Sequence, residues 1–209
     1  RSFLDGVLNG DFMQRHVPPE ARCLVDVAFS GNGEPTSAPE FAQAIDRVIA
    51  VLNAFELHGK LVLRLITNGS LLYRPEVQAG IKSLGKWGGE VWFKVDRAGP
   101  ADILEVNGVS MTREKIARHL EICAALAPTW IQTCWFALDG IPPSVAARQV
   151  YCDLLRPLAG CLSGIHLYGL ARPSLQPAAS RLGRLSSDDM NAFADEITKE
   201  TGIRVIVSP

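Results

Sequence analysis

The 209-residue sequence has no long apolar run, no cationic leader and almost no net charge. No apolar stretch approaches the roughly 18–20 residues that cross a bilayer, which argues against a membrane-spanning helix. No positively charged start precedes an apolar stretch and a cleavage site, so we expect no secretory signal. The formal charge of −1 argues against a nucleic-acid or anionic-membrane surface made by bulk charge.

Cysteine and histidine are also scarce, and neither shows the spacing of metal ligands. The odd number and wide spacing of the cysteines favour reduced thiols in a cytoplasmic protein over a disulfide framework, and we interpret them as small buried residues. Of the histidines, only His166 falls in a predicted strand, and we interpret it as a core residue. The cysteines are Cys23, Cys123, Cys134, Cys152 and Cys161.

What the sequence does contain is a regular alternation of helical and strand patterns. Hydrophobic residues make up 47% and charged residues 21%, as in a globular protein, and no linker divides residues 1–209 into more than one domain. Helices are predicted over 2–13, 37–57, 75–84, 112–126, 144–158 and 187–201. Strands are predicted over 24–30, 61–67, 91–96, 130–138, 164–170 and 203–207. Ser37, Thr112 and Ser187 are the predicted helix caps, and Gly202 ends the last helix.

Strands that alternate with helices predict an α/β fold with a parallel sheet. The order begins with a helix rather than a strand. We therefore predict parallel strand–helix repeats that form a partial (β/α) barrel whose first strand is missing.

One side of the predicted sheet is polar, although strands covered by helices on both faces are usually apolar throughout. The alternate strand positions on this side are Asp26, Ser30, Arg64, Asn68, Lys94, Asp96, Gln132, His166 and Tyr168. Unpaired burial of so many polar groups is costly, which favours a wet or ligand-filled interior. We expect Asp26 to pair with Arg64. The groups nearest the strand ends, Asn68, Lys94, Asp96 and Gln132, are expected to contact a ligand.

Two motifs follow successive strands. In Phe29–Thr36 (FSGNGEPT), two glycines allow the backbone to approach a ligand, and Glu34 offers an acceptor for an ammonium group. In Leu65–Ser70 (LITNGS), Thr67 and Asn68 place a hydroxyl and an amide at the same rim. Each motif alone is also compatible with an ordinary turn.

Taken in order, the stretches 30–36 (SGNGEPT), 66–70 (ITNGS) and 94–98 (KVDRA) resemble the radical S-adenosylmethionine superfamily. The stretches 130–140 and 167–173 are similar to the later strands of an uncharacterised-type subgroup. The resemblance implies that the glycine–glutamate motif binds the methionyl amino group, that Lys94 or Asp96 contacts ribose, and that Tyr168 lines the adenine. With the polar face, the predicted cofactor-binding residues are Gly31, Asn32, Gly33, Glu34, Thr67, Asn68, Lys94, Asp96, Gln132 and Tyr168.

The sequence departs from that family in one respect. The family holds a [4Fe–4S] cluster on Cys-x3-Cys-x2-Cys between its first strand and first helix, and this spacing is absent here. The resemblance therefore implies an intact radical enzyme that takes an electron from a donor and cleaves S-adenosylmethionine to a 5′-deoxyadenosyl radical. We expect this chain to be its truncated, inactive body, which binds S-adenosylmethionine without the cluster.

Two other functions remain open at this point. The chain can be a cluster-free small-ligand-binding or scaffold protein, or an unrelated barrel enzyme in which Lys94 forms a Schiff base or acts as a general base. The substrate is not identified. Five arginines are candidates for binding an acidic substrate, with an ordinary surface position as the alternative for each: Arg64, Arg97, Arg172, Arg181 and Arg184.

Overall fold

A computed structural model describes residues 1–31, 33–171 and 178–208, in which a six-stranded parallel sheet is the central element. The strands of the chain are β1 Asp26–Phe29, β2 Val62–Thr67, β3 Glu90–Lys94, β4 Thr129–Cys134, β5 Ala137–Leu138, β6 Gly164–Tyr168, β7 Leu182–Gly183 and β8 Val205–Ser208. The sheet has the order β1-β2-β3-β4-β6-β8, and the short β5 and β7 form a separate antiparallel ribbon. Among the described residues β1 and β8 are edge strands, so the sheet is open. This confirms the predicted parallel α/β fold.

Two short helices precede the first strand, and the longer helices that follow the strands pack as a layer beside the sheet. They are α1 Ser2–Leu8, α2 Phe12–His16, α3 Phe41–Ala54, α4 Pro75–Lys86, α5 Pro100–Asn107, α6 Arg113–Leu126, α7 Val145–Leu155 and α8 Ser187–Thr201. Thr112 caps α6 by accepting from the Lys115 N–H, and Gly202 ends α8 in the left-handed conformation, as predicted. In the described part of the chain, no helix combines the length and apolarity that crossing a bilayer requires.

The two faces of the sheet differ in the way the alternation predicts. On the helix-covered face, Leu63, Leu65, Val91, Ile131 and Ile165 are fully buried in the hydrophobic core. The intervening residues point to the opposite face, which combines polar residues with Ile66, Trp92 and Trp130 and is only partly buried. This face is therefore the side of the sheet that keeps partial exposure to solvent.

Several predicted boundaries are wrong. The single helix over 2–13 is divided into α1 and α2, because the segment Asn9–Asp11 interrupts the helical backbone. The helix predicted from Ser37 begins at Phe41, and Ser37 instead belongs to a 3-10 turn over Pro35–Ser37. Ser186, rather than Ser187, caps α8 by accepting from the Asp189 N–H.

Two later segments also differ from the prediction. The strand predicted over 130–138 ends at Cys134, because the chain then leaves the parallel sheet and β5 pairs with β7. The helix predicted over 144–158 ends at Leu155 and continues as a 3-10 helix over Arg156–Cys161. Helix α5 was not predicted, since its eight residues have no clear apolar stripe.

Candidate functional site

The glycine–glutamate loop lies directly after β1. Gly31 and Gly33 have φ angles of 142° and 139°, a backbone conformation that favours glycine. Both glycines are exposed, and no atom lies within 4 Å of where a Cβ would stand, so the loop backbone is open to a ligand. Asn32, also predicted to bind the cofactor, lies outside the described residues.

The carboxylate of Glu34 joins the two motifs physically. Its Oε1 accepts from the Thr67 hydroxyl at 2.6 Å and from the Thr36 hydroxyl at 2.7 Å. Its Oε2 accepts from the backbone N–H of Asn68 at 2.7 Å. The predicted residues Glu34, Thr67 and Asn68 therefore meet at one point of the rim. Thr67 is buried on the helix-covered side, so its hydroxyl orients Glu34 instead of facing the open surface.

The turn after β2 is fixed from behind by His119, which sequence reasoning did not select. The Gly69 N–H donates to the Thr67 hydroxyl at 3.0 Å, and the Gly69 carbonyl lies 2.8 Å from Nδ1 of His119. A carbonyl oxygen only accepts, so Nδ1 carries a proton. A Cβ at Gly69 would stand 2.0 Å from the Phe93 ring, which leaves room for glycine alone. The available signal was the placement of His119 beside Ile116, Leu120 and Cys123 on the buried stripe of α6.

Burial lowers the pKa of His119, and the bond to the Gly69 carbonyl only partly offsets this effect. The imidazole is therefore held neutral, with Nδ1–H as its donor. We infer that α6 supports the same turn that supplies Asn68 to Glu34.

The carboxyl ends of β3 and β4 bring together the other predicted residues. Lys94 and Gln132 are direct register partners on the open face, and Lys94 is exposed there. Asp96 accepts from the Cys134 N–H at 2.8 Å and from the Asn107 amide at 3.5 Å. Its carboxylate thus ties the two strand ends together, which reduces its freedom to bind a ligand.

Tyr168 and Cys134 are register partners at the end of the next pair of strands. Burial, followed by the nearby Asp96 carboxylate, raises the pKa of the Cys134 thiol to about 11. The pKa of Tyr168 is also raised, mainly by burial. Both groups are therefore neutral at physiological pH. Cys134 was missed as a rim residue, although its alternation with Gln132 places it on the open face.

The amino-terminal half of the open face is covered by paired charged side chains and by aromatic rings that contact one another. Arg64 contacts both Asp26 and Glu90, which confirms the predicted Asp26–Arg64 pair and adds a carboxylate that was missed. The His166 ring lies against Trp92 and Trp130, with centre-to-centre distances of 4.3 Å and 4.6 Å and planes tilted by 33°. The prediction of a core histidine is wrong, because His166 points to the open face and is only half-buried. Burial lowers the pKa of His166.

The arginines predicted for an acidic substrate have different environments. Arg64 is paired, Arg181 is an exposed partner of Glu105 and Asp139, and Arg184 is exposed. Arg97 is only 6% exposed, so the surface alternative is wrong for it. Arg172 lies outside the described residues. Arg97 borders a cavity of about 390 Å³ that also reaches Asn68, Lys94 and Asp96.

The cysteines do not form a cluster-binding group. Across the described ranges, no group of three or more His, Cys, Asp or Glu side chains is placed to hold a metal ion. The prediction of buried thiols is wrong for Cys23 and Cys161, which are exposed because they lie in an irregular segment and at the end of a 3-10 helix. The donor set of this chain therefore does not fit a [4Fe–4S] cluster, which needs converging thiolates.

Comparison with known proteins identifies the fold. No protein-family model and no curated protein matches the sequence. A domain of pyruvate-formate lyase-activating enzyme from Bacteroides vulgatus ATCC 8482 is similar, with a TM-score of 0.60 and 15% identity over 89% of this chain and 100% of that one. A radical SAM methyltransferase from Sphaerobacter thermophilus gives a TM-score of 0.59 and 18% identity over 96% of this chain.

This chain spans 55% of the length of the methyltransferase. At such identities the similarity shows the fold. The open parallel sheet, its helix layer and these two structures lead to one conclusion: the chain has the fold of radical S-adenosylmethionine domains.

Proposed function

We propose that this chain is the S-adenosylmethionine-binding body of a radical enzyme, with Glu34 as the acceptor for the methionyl ammonium group. The observation that supports this most is the arrangement of the Glu34 carboxylate. Its Oε1 accepts from two hydroxyls and from the Thr36 N–H, whereas the Asn68 N–H is the one donor to Oε2 among the described residues. A carboxylate oxygen with one protein donor retains a lone pair for a cationic ligand group.

Preorganisation strengthens the proposal. The hydrogen bonds from Thr36, Thr67 and Asn68 fix the carboxylate before a ligand arrives, so little side-chain entropy is lost on binding. The exposed glycine loop beside it leaves room for the methionyl chain. A charge-assisted hydrogen bond from the ammonium to Glu34 is worth roughly 1.5–3 kcal/mol.

The remaining predicted residues extend the proposed site along the rim. In this proposal Lys94, more than the already hydrogen-bonded Asp96, binds the ribose hydroxyls, and Gln132 and Tyr168 border the nucleoside. Support comes from register, because Lys94 pairs with Gln132, and Tyr168 ends the strand next to Gln132 on the same face.

The reductive chemistry is assigned to the intact protein and not to this chain. In the intact protein, a [4Fe–4S] cluster would supply reducing electrons that it receives from an external donor. The described residues of this chain offer no set of thiolates for that cluster. Their role in the proposal is to bind and orient S-adenosylmethionine.

Isothermal titration calorimetry with two related ligands tests the assignment of Glu34. S-adenosylmethionine carries the ammonium group, whereas 5′-deoxy-5′-methylthioadenosine lacks the amino-acid part. We expect Glu34→Gln to weaken S-adenosylmethionine about tenfold or more, the equivalent of losing one charge-assisted bond, and to leave the thioadenosine unchanged. Glu40→Gln, at an exposed carboxylate six positions later, serves as the control. Equal losses for both ligands, or none, would contradict the assignment.

Lys94 as a covalent catalyst is the weaker alternative. A Schiff-base lysine is activated by a hydrophobic pocket or by a neighbouring cation, whereas Lys94 is exposed. Its position instead suits a contact to a ligand that spans the rim.

A further inference from the structure

We propose that Arg97 is the anion receptor of a second ligand site, which binds a small molecule that has a carboxylate and an apolar body. The site is the cavity of about 390 Å³ at the carboxyl end of β3. The inference rests on the proposed function in one respect, since it places this ligand beside the cofactor as the substrate.

In the described part of the chain, the Arg97 guanidinium donates only to backbone carbonyls and has no carboxylate in direct contact. Nη1 donates to the carbonyls of Asp96 at 2.7 Å and Cys134 at 3.4 Å, and Nη2 donates to the carbonyl of Phe136 at 3.2 Å. All three acceptors are neutral. The guanidinium carbon also lies 4.6 Å from the ring centres of both Trp135 and Phe136, so aromatic faces surround it.

Within the described residues, no carboxylate lies within 4.0 Å of the Arg97 guanidinium. Desolvation lowers the pKa of Arg97, and the more distant Asp96, Asp102 and Glu105 only partly oppose this effect. A buried cation without a close counterion is costly, and a ligand carboxylate that docks against it removes much of this cost. A guanidinium is also the side chain best suited to carboxylate recognition, because its N–H groups form a planar fork.

The cavity itself has a positive end and an apolar wall. Lys94 and Arg97 line it together with one carboxylate, Asp96, whose oxygens already accept from Cys134 and Asn107. The apolar wall is formed by residues such as Ile103 and Met111. The volume lies within the roughly 300–1,000 Å³ range of small-molecule pockets.

A second cavity on the other side of Arg97 has the opposite character. Its volume is about 280 Å³, and three carboxylates line it: Asp102, Glu105 and Asp139. Arg181 pairs with Glu105 and Asp139, but it does not line this cavity, whereas Lys94 adds a positive charge on the other side of the guanidinium. A carboxylate ligand is therefore favoured on the Lys94 side. Because Asn68 and Lys94 also belong to the proposed cofactor rim, the bound anion would lie next to the cofactor.

The test uses hexanoate as the probe, with hexan-1-ol and hexylamine as neutral and cationic analogues of equal length. Affinities are measured by ligand-observed NMR titration of the 209-residue chain. We expect hexanoate to bind at least tenfold more tightly than either analogue. Arg97→Gln should weaken hexanoate at least tenfold, Arg97→Lys should weaken it less because the charge remains, and Arg184→Gln, at an exposed arginine, should change nothing.

A second variant keeps the test independent of the folding role of Arg97. Asn107 lines the same cavity and is exposed, so Asn107→Asp adds a negative charge there without removing a contact to Arg97, and the hydrogen bond that it loses is the 3.5 Å one to Asp96. It should weaken hexanoate severalfold. Equal binding of hexanoate and hexylamine, or unchanged hexanoate affinity in both Arg97→Gln and Asn107→Asp, would overturn the inference.

The outcome can be separated from that of the proposed function. Glu34→Gln should weaken S-adenosylmethionine and leave hexanoate unchanged. If S-adenosylmethionine does not bind but hexanoate binding depends on Arg97, the anion site stands and the cofactor assignment fails. If the reverse is found, the anion site is wrong and the cofactor rim stands.

Discussion

The guanidinium carbon of Arg64 lies 4.1 Å from the ring centre of Trp92, and the same guanidinium contacts the carboxylates of Asp26 and Glu90. The three charged side chains come from the neighbouring strands β1, β2 and β3. Arg64 is therefore the central member of a network that holds the open face of the sheet together. Lys94 lies at the other end of β3 from Glu90 and is exposed at the rim.

Removal of the central cation should cost more stability than removal of the rim cation. Arg64→Met removes the cation that both Asp26 and Glu90 contact, although Glu90 still accepts from the Trp92 ring N–H, whereas Lys94→Met breaks no ion pair among the described residues. Because the paired side chains are 16–31% exposed, we expect a loss of about 2 kcal/mol for Arg64→Met, between the costs of surface and buried pairs. Lys94→Met should be nearly neutral for stability and reduce ligand affinity. Urea unfolding of both variants beside the parent decides this, and the reverse order would show that the ion network does not stabilise the sheet.

The buried His119 should make stability depend on pH. Its folded pKa is lowered by burial below the ordinary value near 6.5, so the unfolded chain binds the proton more readily. The contribution is therefore fully present above about pH 6.5 and is lost as pH falls toward the folded pKa.

His119→Gln keeps an N–H donor for the Gly69 carbonyl but does not titrate. The free energy of unfolding of this variant should fall less between pH 7 and pH 5 than that of the parent. His16→Gln, at an exposed histidine, is the control and should follow the parent. Parallel pH profiles for the parent and His119→Gln would show that His119 is not the titrating group.

The fold was predictable from the sequence because strand and helix periods alternate strongly, and Asp26 and Arg64 were paired correctly from their positions alone. Glu90 was missed because it precedes the apolar part of its strand. The supporting role of His119 was missed because it depends on how α6 packs against the turn after β2. The burial of Arg97 was missed because it depends on how the β4–β5 connection packs over it, and no local pattern encodes either contact. The β5–β7 ribbon joins residues more than 40 positions apart, and two-residue strands have no periodicity to detect.

The chain should not retain an iron–sulfur cluster. Cys123 and Cys152 are buried, and among the described residues no three His, Cys, Asp or Glu side chains are placed to hold a metal ion. After anaerobic reconstitution and desalting, iron and sulfide analysis should give far fewer than the four irons and four sulfides of a [4Fe–4S] cluster. Close to four of each per chain, surviving desalting, would refute the prediction.

Thr67 offers the strictest test of how the rim is organised, since it acts on Glu34 without facing the ligand. The Thr67 hydroxyl donates to Glu34 at 2.6 Å and accepts from the Gly69 N–H at 3.0 Å, and the residue is buried. Thr67→Val preserves the shape but removes both bonds. We expect a loss of stability of about 1–3 kcal/mol, since a buried N–H loses its acceptor and the carboxylate loses a donor.

A matched control is available at Thr133, which is equally buried near the end of β4. Its hydroxyl donates to the Val95 carbonyl at 2.9 Å and lies 2.6 Å from the Tyr151 hydroxyl, so Thr133→Val removes two bonds of the same kind away from Glu34. Both variants should lose stability, but Thr67→Val alone should weaken S-adenosylmethionine severalfold, because an unfixed Glu34 must be ordered again on binding. The loss should be smaller than for Glu34→Gln, since the charge remains. If the two threonine variants bind S-adenosylmethionine equally well, the hydrogen bond from Thr67 stabilises the fold without preparing Glu34 for a ligand.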